Sequence, residues 1–131
     1  SYRLKEWRIG NASGNPSKFK NDVKNERAEY FLSQNSFNAI DAILEAHNQI
    51  VKKNQYYDFA AFVMDKGAAI ELLVVIDKIK EMQDELKVLP KDDFTKANKL
   101  FNSAKDLHNA YYVSLIEQLS ITGKILDADG D

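Results

Sequence analysis

Apolar side chains recur at helical spacing through most of the chain, and they predict four helices. The clearest stripe lies in residues 36–54 and consists of Phe37, Ile40, Ile43, Leu44, His47, Ile50 and Val51. Weaker stripes of the same period predict helices at about 16–32, 58–87 and 93–120. The alternation typical of strands is missing except in residues 2–9, which could pair briefly or fold over the helices.

Glycine and proline divide the chain at positions that agree with these helices. A loop ending at Pro16 separates an irregular N-terminal segment, 1–15, from a helical region, 16–123. Gly123 ends the last helix, and residues 124–131 form a short acidic tail. The pattern therefore predicts one all-α domain, an up-and-down antiparallel bundle of about four helices with one long central helix at 58–87.

Composition narrows the function classes. The formal net charge is −2 and no basic run occurs, so we expect no binding to nucleic acid. With no cysteine, the chain has no disulfide, thiolate nucleophile or zinc finger. The longest apolar run, 68–76, is interrupted by Glu71 and is too short to span a membrane. Lysine outnumbers arginine fifteen to three, a bias typical of AT-rich bacterial or phage genes.

Two histidines are the candidate ligand-binding residues of the bundle. His47 lies within an apolar stripe, and His108 lies beside the stripe of the last helix, which runs parallel to the His47 helix in such a bundle. Together with the aromatic residues Tyr57 and Phe62, they could line a ligand pocket. The alternative is that His47 is a core residue that is hydrogen-bonded across to another helix. The Glu-x-x-His spacing of helix-bundle metal sites is absent, so we predict no metal and no cofactor.

Apolar residues cover more of the surface of the predicted central helix than packing against one neighbouring helix would bury. The excess apolar surface indicates a partner surface. Its members would be Met64, Glu71, Val74 and Val75, with Trp7 of the N-terminal segment nearby. Either a protein partner or a second copy would bury this surface, or the segment that carries Trp7 would seal it within a monomer.

The acidic tail resembles the opening of an EF-hand calcium loop. Asp127, Asp129 and Asp131 match the oxygen ligands at positions one, three and five. Such a loop also requires glycine at position six and glutamate at twelve, so we expect no calcium site unless the natural chain continues.

No catalytic constellation is visible, and we therefore predict a non-enzymatic interaction module that acts through association with itself or with a protein partner. The alternative is a small-molecule sensor or carrier with a pocket near His47 and the aromatic cluster formed by Tyr56, Tyr57, Phe59 and Phe62. An enzyme is the least favoured interpretation. Localisation stays open between the cytoplasm and export with the signal already removed.

Overall fold

The computed structural model describes residues 1–119, and within that range the chain is helical and contains no strand. The helices are α1, formed by Leu4–Gly10 and continued by Asn11–Ser13; α2, Ser36–Val51; α3, Phe59–Asp65; α4, Ala69–Val88; and α5, formed by Asn98–Asn109 and continued by Ala110–Leu115 and Ile116–Gln118. The tail with Asp127, Asp129 and Asp131 lies outside the described residues.

Helix α4 is the central element and runs antiparallel to α2. The Gln83 side chain donates a hydrogen bond to Asp41 (3.1 Å) and accepts one from Asn48 (3.0 Å). The end of α4 lies near the beginning of α2, since Asp92, just after α4, accepts a hydrogen bond from the backbone N–H of Ser36.

Helix α5 packs on another side of α4, again antiparallel. Ser103 donates to Glu85 near the end of α4, whereas Asp106 lies 3.7 Å from Lys78, two turns earlier in that helix. Helices α2 and α5 consequently run parallel to each other. The predicted fold class, an all-α bundle with one long central helix, is confirmed.

The core lies where these three helices meet. Its largest completely buried side chains in this region include Leu44, Leu72, Ile79, Met82, Leu100 and Leu107. The period of these positions follows one face of each helix, and burying that face provides most of the stabilisation of such a bundle.

The N-terminal segment is helical, whereas the sequence predicted an irregular one. Leu4–Gly10 is a π-helix, with hydrogen bonds from residue i to i+5 instead of i+4. Its buried residues Leu4 and Ile9 are accordingly five positions apart. A search for apolar residues three or four apart misses this spacing.

The predicted helix at 16–32 does not form. Only the short 3₁₀ turns Ser17–Phe19 and Asn25–Arg27 occur there. The guanidinium of Arg27 binds both the backbone carbonyl and the carboxylate of Asp22 and lies 4.1 Å from the centre of the Phe19 ring. These contacts, together with the left-handed backbone of Asn21 (φ 62°), hold the segment in an extended loop.

The predicted helix 58–87 is two helices, because the chain turns at Gly67. Its φ is +78°, and the backbone N–H groups of Gly67 and Ala68 donate back to the carbonyls of Met64 and Val63. This pair of bonds is the Schellman arrangement that ends helices at glycine. The long central helix is therefore α4 alone, 20 residues.

Candidate functional site

His47 and Tyr111 meet between α2 and the π-helical stretch of α5. His47 Nδ1 lies 3.4 Å from the Tyr111 hydroxyl, and the two rings are edge to face with centroids 5.6 Å apart. Burial lowers the pKa of His47 and raises the pKa of Tyr111 to about 12. Both side chains are thus uncharged at neutral pH, and they form a neutral hydrogen-bonding pair.

This pair borders a cleft of about 290 Å³. The cleft is lined by Ser1, His47, Ile50, Phe59 and Tyr111. Of the aromatic cluster at the end of the α2–α3 loop and in α3, which consists of Tyr56, Tyr57, Phe59 and Phe62, only Phe59 lines it. The predicted pocket residues Tyr57 (66% exposed) and Phe62 (38% exposed) lie on the surface instead.

His108 lies close by but has contacts of its own. Its Nδ1 is 3.0 Å from the Ser1 hydroxyl, and its ring stacks on Tyr112 with centroids 5.5 Å apart. Burial lowers the pKa of His108 as well. The parallel course of α2 and α5 thus brings both histidines beside Ser1.

The residues predicted to form a partner surface separate in the structure. Val75 is completely buried in the core, whereas Met64 and Val74 are more than a third exposed. Glu71 is half-buried at the beginning of α4. Trp7 is 45% exposed, and the Arg3 guanidinium lies 4.9 Å above its ring.

A groove between α4 and α5 is the site that the sequence did not indicate. Its volume is about 540 Å³, and four carboxylates and two ammonium groups line it, with one valine: Asp77, Lys80, Glu81, Asp84, Glu85, Val88 and Lys99. The acidic residues of α4 recur at helical spacing and therefore share one face of that helix.

Glu85 is the unusual member of the groove, because it is 5% exposed. Its Oε1 accepts a hydrogen bond from Ser103 Oγ (2.9 Å) and lies 3.2 Å from Lys99 Nζ. Its Oε2 is buried and has no hydrogen-bond partner among residues 1–119. A sequence signal existed: Glu85 falls in the phase of the buried residues Ile79 and Met82.

Glu81 reaches the same serine from one turn earlier. Glu81 Oε1 lies 3.4 Å from Ser103 Oγ, and its Oε2 accepts from Lys78 Nζ at 2.8 Å. The hydrogen bond from Lys78 lowers the pKa of Glu81, and the same contact raises the pKa of Lys78. Two carboxylates thus converge on one hydroxyl. Across residues 1–119, histidine, aspartate and glutamate side chains nowhere form a ready-made metal site of three or more.

Comparison with known proteins decides the family. The family described as imelysin, which is also labelled peptidase M75, matches residues 1–121. The chain belongs to the imelysin family. No curated protein and no solved structure matches the chain.

Membership of the imelysin family corrects the function predicted from sequence. The match points to a peptidase-like or iron-uptake-related domain, so the prediction of a simple interaction module is wrong. The family is consistent with the bacterial origin that the lysine bias indicated. Among the helices within residues 1–119, none is both long and apolar enough to cross a membrane.

Proposed function

We propose that this imelysin-family chain serves in iron uptake, as a helical domain that binds iron through oxygen ligands and has no enzymatic activity of its own. The observation that carries the proposal is the family match, which extends over residues 1–121, together with the association of the imelysin fold with iron uptake.

The chemistry of the α4–α5 groove supports an iron-binding role. Carboxylate and hydroxyl oxygens are the ligands that hard cations prefer. The groove presents Glu81 and Glu85, which both accept hydrogen bonds from the buried Ser103. The further carboxylates that line it, Asp77 and Asp84, attract cations from solution. Iron is the cargo of such a domain, and a site with few protein ligands releases its cargo readily.

Iron binding by the isolated chain tests the proposal directly. Anaerobic calorimetric titration with Fe²⁺, and titration with ferric citrate in air, should each give saturable binding near one equivalent. Binding should also raise the Tm, because a ligand that binds only the folded state stabilises it. If neither form of iron binds or stabilises the protein, the iron-uptake proposal is wrong.

The peptidase label of the family favours proteolysis as a second candidate function. The same preparation should therefore be incubated with a fluorescently labelled casein, with and without a metal chelator. We expect no hydrolysis above the buffer control. Chelator-sensitive hydrolysis that copurifies with the protein would contradict the non-enzymatic part of the proposal.

A further inference from the structure

The buried carboxylate of Glu85 is costly for the fold as it stands. A charge removed from water requires close partners on both oxygens, and Glu85 Oε2 has none among the described residues. A leucine at this position would continue the buried stripe of α4 without that cost. A buried group that is only partly satisfied calls for an explanation, and a missing ligand supplies one.

The positive charge that faces Glu85 is the ammonium group of Lys99, and the structure holds it only weakly. Lys99 Nζ lies 3.2 Å from Glu85 Oε1, but the lysine side chain is 78% exposed. A long exposed side chain loses rotamer entropy when it is fixed in one position, and water screens its charge. Lys99 can therefore leave the carboxylate at small cost.

Glu81 provides a second carboxylate at the same point. Glu81 Oε1 and Glu85 Oε1 both accept a hydrogen bond from Ser103 Oγ, at 3.4 and 2.9 Å. The Glu81 side chain is 41% exposed and opens toward solvent, whereas Glu85 is buried. One cation could therefore enter from the groove, contact Glu81 first and then reach Glu85.

We propose that Glu81 and Glu85 form a binding site for a hard cation in the α4–α5 groove, and that the Lys99 ammonium group occupies the place of this cation until the cation displaces it. The inference rests on the proposed function, and it names the residues that hold the iron. Ser103 orients the two carboxylates through its hydroxyl.

The size of the groove suits a cation that keeps part of its water. The groove measures about 540 Å³ and is open to solvent, so it has room for a hydrated cation. Cations held by one or two carboxylates retain several waters, which favours exchange over permanent binding. The site is thus suited to cargo.

Three substitutions and one matched control test the site by anaerobic titration with Fe²⁺ and, in parallel, with Mn²⁺. Glu81→Gln and Glu85→Gln should each weaken binding about tenfold or more, since each removes a charged ligand. Lys99→Met should strengthen binding several-fold, because it removes the competing ammonium group.

Lys87→Met is the control for Lys99→Met. Lys87 is an exposed lysine of α4 that pairs with Asp84 at 2.9 Å and does not line the groove, so its loss changes the net charge equally. We expect binding to change by less than about twofold, as for a screened surface charge. Circular dichroism should show each variant folded, and Glu81→Gln, at a part-exposed position, carries the test if Glu85→Gln does not fold.

The outcomes separate this inference from the proposed function. Iron binding that neither glutamine variant weakens would overturn the groove site and leave the iron-uptake role standing. If Lys99→Met binds no more tightly than Lys87→Met, the displacement of Lys99 is wrong. If Mn²⁺ binds with the expected variant pattern but iron does not, the site is upheld and the iron-uptake role fails.

Discussion

The carboxylate of Asp92 accepts a hydrogen bond from the backbone N–H of Phe37 at 2.7 Å. Its other oxygen accepts one from the neighbouring Ser36 N–H at 2.9 Å. Asp92 thus caps the N-terminus of α2 from the distant loop between α4 and α5, where the negative charge also complements the helix dipole. The cap fixes where α2 begins relative to the end of α4.

Removal of this cap should destabilise the domain. We expect Asp92→Ala to lower the free energy of unfolding by about 1–2 kcal/mol, the range measured for lost helix caps. Asp92 also has a left-handed backbone (φ 52°), which asparagine tolerates. Asp92→Asn should therefore lose less free energy of unfolding than Asp92→Ala, as measured by urea denaturation. Equal stability of alanine variant and wild type would show that the cap contributes nothing.

Neighbouring valines of α4 provide a second prediction. Val75 is completely buried and Val74 is 41% exposed. Val75→Lys places an unpaired charge in the core and should cost at least about 3 kcal/mol. Val74→Lys should stay within about 0.5 kcal/mol of the wild type. Thermal unfolding of both variants provides the comparison, and a stable Val75→Lys protein would contradict the position of α4 described above.

Gly67 allows a test of backbone strain free of packing effects. A Cβ atom added there would meet no other atom within 4 Å, but φ is +78°. Gly67→Ala should therefore cost about 1 kcal/mol from backbone conformation alone. Gly67→Asn should cost less, because asparagine adopts this conformation more readily. If denaturation shows that Gly67→Ala is as stable as the wild type, the left-handed turn between α3 and α4 is contradicted.

Acidification should weaken the fold through the histidines. Burial lowers the pKa of His47 and of His108 below the value of 6.5 expected in the unfolded chain. Below pH 6.5 the unfolded state binds more protons than the native state, so stability falls as the pH decreases through 6.5 toward the lower native values. Substitution of each histidine separates its contribution from that of the carboxylates, whose ordinary pKa values lie below this window.

The measurement for this prediction is Tm against pH. Wild-type Tm should fall by a few degrees between pH 7 and pH 5, and His47→Leu should reduce that dependence more than His108→Leu, since His47 is the more buried. An unchanged slope in the His47→Leu protein would show that the imidazole is already solvated in the native state.

The helices with a regular period of 3.6 residues were predictable from sequence, and α2 demonstrates why. Its buried residues Phe37, Ile40, Leu44 and Val51 lie on the predicted stripe. By contrast, the π-helical stretch Leu4–Gly10 buries residues five positions apart, Leu4 with Ile9, and a pattern tuned to three or four residues does not detect it. The second π-helical stretch, Ala110–Leu115, lies inside the helix predicted at about 93–120.

Contacts between distant segments account for the remaining differences between the predicted and the observed structure. The loop after Pro16 is held in part by a distant residue, because the backbone N–H of Phe94 donates a hydrogen bond to the amide oxygen of Asn25 in the loop (2.9 Å). No local pattern encodes that partner. The candidate sites were also only partly predictable. The apolar stripe of α2 singled out His47. The pairing of His47 with Tyr111 and the contact of Glu81 with Ser103 depend on how α5 packs against α2 and α4, which the sequence pattern does not give.

The docking of α1 has a consequence for the order in which the chain assembles. Tyr2 contacts His108, with ring centroids 6.2 Å apart, and a Cβ on Gly10 would lie 3.1 Å from Phe101. These contacts join segments about a hundred residues apart along the chain, so closing them costs loop entropy that local helix formation does not. During synthesis, the residues of α1 therefore emerge well before the residues of α5 against which they pack. Refolding should show α1 acquiring protection from hydrogen exchange only together with α5.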